Sequence, residues 1–193
     1  MPEGHPGQAN LTDLQSIRTI LDAANFAAGK HSAQKRKGAA GEPYVNHLLE
    51  VAHLVSTALA EPDTNLIMAA LLHDVVEDCA VTKEELAERF GSDVAELVAE
   101  VTDDKSLPKA ERKRLQVINA PKKSTRAQMI KLADKISNLR AILNSPPEGW
   151  NVERQREYFQ WAKQVVEGLG NPNALLKAEF DSTYSQIRIL ERR

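Results

Sequence analysis

The chain has 193 residues, of which 42% are hydrophobic, 27% charged and 5% aromatic, and its formal net charge is −2. These values are ordinary for a soluble globular protein with one aliphatic core, and no apolar run approaches the ~20 residues that cross a membrane. The single cysteine, Cys79, excludes an internal disulfide framework and fits a reducing cytoplasm. Residues 1–10 lack the apolar stretch of a signal peptide and are predicted to be a flexible lead-in to one domain at 11–193.

Charged residues are distributed unevenly along the chain. Residues 77–104 contain ten acidic and two basic side chains, a net charge of −8, whereas residues 105–123 contain seven basic and one acidic, a net charge of +6. A second basic cluster combines Lys30 with residues 35–37. Such runs are commonly solvated helix faces, and the sharper interpretation is that the basic segments hold a polyanionic substrate. Nucleic acid is disfavoured as a partner because the domain as a whole is not basic.

Helical periodicity dominates the chain, and glycine and proline clusters mark the helix ends. The first helix carries an apolar stripe of Leu14, Ile17, Leu21 and Ala24, and Thr82 begins a capping box. No alternating strand segment, internal repeat or long linker is present, so the sequence predicts a single all-α domain. The predicted helices span 12–31, about 44–60, a third that ends near 79, a short fourth from 82, a fifth that ends at 101, and then 108–121, 124–143, 151–168 and 173–191.

The third predicted helix carries acids and an imidazole inside an apolar stretch. Residues 66–72 are apolar and lead into the run His73-Asp74-Val75-Val76-Glu77-Asp78. At ~100° of rotation per residue in one continuous helix, the four polar residues of this run fall within roughly 140° of one another. Burying such groups without a partner costs several kcal/mol, so they usually pair or bind a metal. The segment therefore predicts a metal site with acid/base chemistry beside it.

Further metal ligands must come from elsewhere in the chain. His47 lies near the start of the second helix, and Asp134 is a carboxylate inside the apolar stripe of the helix at 124–143. Two imidazoles and two carboxylates without a thiolate favour a divalent ion such as Mn²⁺, Fe²⁺ or Zn²⁺. Glu77 and Asp78 are then spare acids that can orient a water or take its proton, as the hydrolysis of a phosphoester or pyrophosphate requires.

The four candidate ligands reproduce an H…HD…D pattern, so the chain resembles the HD-domain metal-dependent phosphohydrolases. The HDxxED run and four further segments make it similar to the hydrolase domain of the RelA/SpoT alarmone enzymes. Two later segments look most like the small stand-alone branch of that family. The further segments are 41–47, 101–105, 131–135 and 138–140, and the two later ones are 147–150 and 157–162.

The resemblance implies an HD-domain helical bundle with a buried metal site, and a cytoplasmic enzyme that uses Mn²⁺, with Zn²⁺ or Fe²⁺ as alternatives. Such an enzyme removes the 3′-pyrophosphate of the alarmones ppGpp and pppGpp, giving GDP or GTP plus pyrophosphate; the end of the chain at Arg193 implies hydrolysis without synthesis. By motif, the metal ligands are His47, His73, Asp74 and Asp134, and the water-activating acids are Glu77 and Asp78. The implied nucleotide contacts are Arg36, Lys37, Lys109, Asn138, Arg154 and Tyr158.

Other interpretations of the same residues stay open. A phosphohydrolase of NADPH or another ribose-phosphorylated nucleotide needs the same metal site, whereas a non-catalytic nucleotide sensor needs no water-activating acids. The sequence leaves open the oligomeric state, and whether Asp103 and Asp104 order a loop toward the site or cap a helix. Trp150 and Trp161 are interpreted as core anchors rather than base-stacking platforms. A small-molecule nucleotide is the expected partner, with no nucleic acid and no membrane.

Overall fold

The computed structural model describes residues 11–191, so the predicted lead-in at 1–10 lies outside the described residues. Between these bounds the chain forms ten α-helices, two short 3-10 segments and two isolated β-bridges, which confirms the all-α prediction for the described part of the chain. The helices are α1 (Leu11–Lys30), α2 (Val45–Ala58), α3 (Thr64–Leu72), α4 (Val75–Asp78), α5 (Lys83–Phe90), α6 (Ser92–Val101), α7 (Lys109–Asn119), α8 (Thr125–Asn144), α9 (Val152–Gly168) and α10 (Ala174–Ser185).

Helix α8 forms the centre of the bundle. It contacts α2, α6, α9 and α10, and thirteen of its twenty residues are buried. Nine of the thirteen are apolar and contribute to an aliphatic core. The others are polar, and buried polar groups need a hydrogen-bond partner or a ligand. These four residues are Lys131, Asp134, Lys135 and Ser137.

The third predicted helix is interrupted, which corrects the prediction of one continuous helix. Helix α3 ends at Leu72 and α4 begins at Val75. Between them, Asp74 has φ −107° and ψ −4°, near the bridge region of the backbone map. The break has a polar cause, because it lets the Asp74 carboxylate accept a 2.6 Å hydrogen bond from the Tyr44 hydroxyl, just before α2. The four polar residues of the run at 73–78 therefore do not share one face of a continuous helix, as the sequence predicted, but lie on both sides of a break between α3 and α4.

Helix α1 exposes the apolar stripe that the sequence singles out. Leu14, Ile17 and Leu21 are 41%, 52% and 61% exposed, whereas the small residues Ala23 and Ala27 are fully buried. Helix α1 packs on α3, and small side chains let the two backbones approach closely. The buried face of α1 is therefore not its most apolar one. Among the described residues, no helix is long and apolar enough to cross a membrane.

The basic segment 35–37 lies in the loop between α1 and α2, and this loop is attached to the loop that follows α8. Gly38 forms an isolated antiparallel bridge with Pro147, and the Ala40 N–H donates to the Ser145 hydroxyl at 3.0 Å. A Cβ added at Gly38 would lie 2.3 Å from the Ser145 carbonyl oxygen and 2.5 Å from its Oγ. Only glycine permits this approach, so Gly38 fixes the position of the basic segment.

We predict that Gly38→Ala destabilises the fold by about 1–3 kcal/mol, because the added methyl overlaps backbone as well as side-chain atoms. The matched control is Gly29→Ala, at a helical position with no atom within 4 Å of the added Cβ. That control should leave the free energy of unfolding unchanged or raise it by up to about 1 kcal/mol, since alanine favours helix. Urea unfolding of both variants checks this, and equal effects would contradict it.

Candidate active site

The structure brings the four predicted metal ligands together. His47 lies in the first turn of α2, His73 and Asp74 in the break between α3 and α4, and Asp134 in the middle of α8. One ligand atom from each of His47, His73 and Asp134 lies within 4.8 Å of the others. The Asp74 Oδ2 atom lies 3.2 Å from His73 Nε2 and 3.7 Å from His47 Nε2. Residues from three separate regions of the chain therefore converge on one buried point.

Hydrogen bonds on the far side of each imidazole fix its protonation. The Ser137 hydroxyl donates to Glu50 at 2.6 Å and therefore accepts from His47 Nδ1, 2.8 Å away. His73 Nδ1 lies 2.8 Å from the Ala70 carbonyl oxygen, which can only accept. The hydrogen-bond network thus places a proton on both Nδ1 atoms, and both Nε2 atoms face the carboxylates and are the atoms that could bind a metal ion.

The ligand atoms fit a divalent cation. His73 Nε2 is buried and has no hydrogen-bond partner, although the Asp74 carboxylate faces it. A lone pair on Nε2 would be repelled by this carboxylate, so Nε2 either carries a proton that pairs with Asp74 or binds a metal ion that lies between the two groups. Two imidazoles and two carboxylates are a donor set that suits a catalytic divalent ion.

The ionisation of the ligands suits metal binding. Burial lowers the pKa of His47, which favours the neutral imidazole. Although burial opposes both shifts, Asp74 raises the pKa of His73 and a protonated His73 holds the pKa of Asp74 well below its usual range, so in the metal-free site a proton on His73 takes the place that a metal ion would occupy. Burial alone would raise the pKa of Asp134. The Lys135 ammonium, which donates to Oδ2 at 2.9 Å, outweighs this effect, and the carboxyl pKa is lowered. The carboxylates are therefore ionised.

The two predicted acids lie on α4 and line the same cavity as His47, Asp74 and Asp134. The Asp78 carboxylate accepts a 2.8 Å hydrogen bond from the Gln34 side chain and contacts the Lys105 ammonium. The Glu77 carboxylate lies 3.3 Å from Arg112 Nη1. Burial raises the pKa of Glu77, and the nearby acids add to this shift. Each acid is thus held in place by a cation.

The loop after α6 resolves the question about Asp103 and Asp104. The Asp103 N–H donates to the Glu77 carboxylate at 3.4 Å, and its side chain accepts from Gln116. The Asp104 carboxylate instead accepts from the Ser106 N–H at 2.9 Å and closes a turn. Asp103 therefore orders the loop toward the site, whereas Asp104 has a local role.

The cavity beside the acids has a volume of about 650 Å³ and a wall of cations. We define the basic wall as Lys37, Lys109, Lys113 and Arg154, all of which line the cavity. Burial and the charges of Lys37 and Arg154 lower the pKa of Lys109, so these cations lie close together. Like charges gathered in a cavity repel one another and favour a bound polyanion.

Two of the predicted nucleotide contacts lie next to the metal ligands. Arg36 Nη2 donates to the Asn138 side-chain oxygen at 3.2 Å. The Asn138 side-chain nitrogen donates to Asp134 Oδ1 at 2.6 Å. Two hydrogen bonds through Asn138 therefore connect Arg36 to the candidate metal ligand Asp134.

Tyr158 stands between two indole rings at the edge of the basic wall. Its ring centroid lies 5.8 Å from that of Trp150 and 5.1 Å from that of Trp161, and burial raises the pKa of its hydroxyl. The Trp161 indole N–H donates to the Lys113 carbonyl oxygen at 3.1 Å, which joins α9 to α7. Both tryptophans pack against the core and also line the cavity, so they serve as anchors and as wall.

Several side chains at the site are absent from the predicted set. Ser137 and Lys135 could have been predicted as site residues from the sequence, because they are polar residues within the buried, mostly apolar stripe of α8. Tyr44, Gln34 and Arg112 contact the predicted residues from distant segments. No spacing rule connects such pairs before the fold is known.

A protein-family model described as HD domain matches residues 23–171. The matched range contains all four candidate metal ligands and both candidate acids. The chain belongs to the HD-domain family.

Within that family the chain is similar to animal proteins named guanosine-3′,5′-bis(diphosphate) 3′-pyrophosphohydrolase MESH1. The protein of Xenopus tropicalis is 52% identical over 165 residues, which are 86% of this chain and 92% of the relative. The Homo sapiens protein is 48% identical over 167 residues, covering 86% of this chain and 93% of the relative. A solved structure, titled as a metazoan ortholog of SpoT that hydrolyzes ppGpp, superposes with a TM-score of 0.84 at 44% identity and covers 95% of this chain and 98% of that one.

We predict that Ser137→Ala weakens Mn²⁺ binding by about 10–100-fold, because His47 loses the hydrogen bond that orients its ring. The matched control is Ser56→Ala on the same helix as His47, where the hydroxyl donates to the His53 carbonyl oxygen. Calorimetric titration with Mn²⁺ measures both affinities. An unchanged affinity in Ser137→Ala would show that the imidazole keeps its orientation without this contact.

Proposed function

We propose that the protein is a metal-dependent hydrolase that removes the 3′-pyrophosphate of ppGpp and pppGpp, giving GDP or GTP plus pyrophosphate. The observation that carries this proposal is the meeting of three features in one cavity: the His/Asp cluster, two further acids and the basic wall. The relatives that bear the name of this activity support the choice of substrate, since they match most of the chain.

In the proposed reaction, the oxygen of one water bonds to the phosphorus attached to the ribose 3′-oxygen. The bond between that phosphorus and the 3′-oxygen breaks, and the 3′-oxygen takes up a proton to become a hydroxyl. The oxygen from water leaves in pyrophosphate, so the nucleotide product keeps its own oxygen atoms. The site must therefore orient a water, accept its proton and balance charge on the phosphoryl group.

His47, His73, Asp74 and Asp134 would hold a divalent ion, which when bound supplies positive charge to stabilise the phosphoryl oxygens. Glu77 is placed to accept the proton of the water, because burial keeps its carboxyl pKa above the usual range and closer to neutrality. Asp78 is held by Gln34 and Lys105, and orients the water.

The nucleotide would lie along the cavity with its phosphates toward the cations. Lys37, Lys109 and Arg154 in the basic wall would receive the 5′-phosphates, because they share the cavity and repel one another. Arg36 and Asn138 would contact the ribose or the phosphate nearest the metal. Tyr158 would close the nucleotide side of the cavity.

We further propose Mn²⁺ as the working ion, with Zn²⁺ and Fe²⁺ as alternatives. Imidazole and carboxylate ligands without a thiolate support this choice. A cytoplasmic location is supported by the free thiol of Cys79, which fits a reducing compartment.

We predict that the Mn²⁺-loaded protein hydrolyses ppGpp and that Glu77→Gln lowers kcat by about 100-fold or more, because the amide cannot take a proton. The control is Glu88→Gln, an exposed residue of the same acidic segment, which should retain activity. Reaction in water labelled with heavy oxygen should place the label in pyrophosphate and none in GDP.

No turnover of ppGpp by the folded, metal-loaded protein would contradict the proposal. Turnover of NADPH under the same conditions would then favour the alternative phosphohydrolase. Label found in GDP would mean that the water attacks carbon rather than phosphorus. Equal activity of Glu77→Gln and wild type would exclude Glu77 as the base.

A further inference from the structure

Lys131 is a buried cation that the roles assigned above do not use. It is 6% exposed, lies in α8 and lines the cavity. Within residues 11–191 it makes no ion pair within 4 Å, and no hydrogen bond of its side chain is found there. Its Nζ atom is not among the fully buried nitrogens that lack a partner, so the ammonium group reaches the cavity without an ion-pair partner among the described residues and can bind an anion there.

The neighbouring lysines differ from Lys131 in this respect. Lys135 donates to the Asp134 carboxylate at 2.9 Å and lies over the Trp161 ring. Lys123 donates to the Glu100 backbone carbonyl. The ammonium groups of Lys135 and Lys123 therefore have partners within the protein. Of these three lysines, only Lys131 has no side-chain partner among the described residues, so its ammonium is available to a ligand.

The position of Lys131 places it beside the metal ligands. It precedes Asp134 by three residues, so the two lie on one face of α8, about 4.5 Å apart along the helix axis. The Lys131 charge acts on Glu77, where it opposes the rise in carboxyl pKa caused by burial. Arg112 also lies against Glu77, and its Nε atom is buried without a partner. A second group of cations therefore stands at the catalytic acids.

The proposed substrate carries two phosphate chains on one ribose. The basic wall accounts for the chain at the 5′-position, and the reacting phosphorus of the 3′-chain must lie at the metal ligands. The terminal phosphate of the 3′-chain then extends beyond the metal ligands and needs its own cation. Lys131 lines the cavity and its charge acts on Glu77, so it is a cation available to this group, and an ammonium binds phosphate oxygens through charge-assisted hydrogen bonds.

We propose that Lys131 binds the terminal phosphate of the ribose 3′-diphosphate and remains bound to the pyrophosphate product. This inference rests on the proposed function. Lys131 thereby becomes a substrate-binding residue that distinguishes a 3′-diphosphate from a single 3′-phosphate, which would not reach it.

The test compares Lys131→Met with Lys109→Met in the Mn²⁺-loaded protein. Inhibition of ppGpp hydrolysis by inorganic pyrophosphate and by GDP is measured for each, together with direct calorimetric binding of pyrophosphate. Lys131→Met should weaken the binding of pyrophosphate by about tenfold or more and leave the binding of GDP little changed. Lys109→Met should weaken the binding of GDP more than that of pyrophosphate. Lys131→Arg should bind pyrophosphate with an affinity close to that of wild type.

Thermal unfolding separates binding from a structural role. Lys131→Met should have a Tm close to that of wild type, because within residues 11–191 the Lys131 ammonium makes no ion pair or side-chain hydrogen bond that the substitution would remove. Unchanged pyrophosphate affinity in Lys131→Met would overturn the inference, as would equal weakening of both ligands with a lowered Tm. If wild type does not hydrolyse ppGpp, the proposed function fails, while the calorimetric titration still decides whether Lys131 binds a diphosphate.

Discussion

Two imidazole nitrogens and two carboxylates meet at one buried point, and they repel one another unless a cation lies among them. The surrounding structure is arranged to hold this unfavourable group. Ser137 orients His47 from α8, and the Tyr44 hydroxyl holds Asp74 where the chain breaks between α3 and α4. Holding these groups together without a bound ion lowers the free energy of unfolding, and binding of a divalent ion would offset this cost.

The uneven charge of the chain has a spatial counterpart. The acidic segment at 77–104 begins with the two acids of α4, and the basic segment at 105–123 returns over them through α7. Lys105 contacts Asp78 and Arg112 contacts Glu77, so each acid is balanced before any substrate binds. Lys37 and Lys109 of the basic wall form no ion pair within 4 Å among the described residues, whereas Arg154 pairs with Glu157, so the wall keeps positive charge that favours a polyanion.

The helices, and the candidate metal ligands that the structure brings together, could be predicted from the sequence because both depend on local information. Periodic apolar residues define the helices, and polar residues inside apolar stripes, such as Asp134, mark a buried site. The break at Asp74 could not be predicted, because its cause is Tyr44, thirty positions earlier in the chain. Gln34 and Arg112 were missed for the same reason. The exposed stripe at Leu14 shows that the most apolar face is not always the buried one.

The most direct test of the metal centre is anomalous diffraction from crystals of the Mn²⁺-loaded protein. One anomalous peak is predicted among His47, His73, Asp74 and Asp134, with both histidines bound through Nε2 and the Ser137 contact to His47 retained. A peak at another place, a histidine bound through Nδ1, or no ion at saturating Mn²⁺ would contradict the arrangement on which the rest depends.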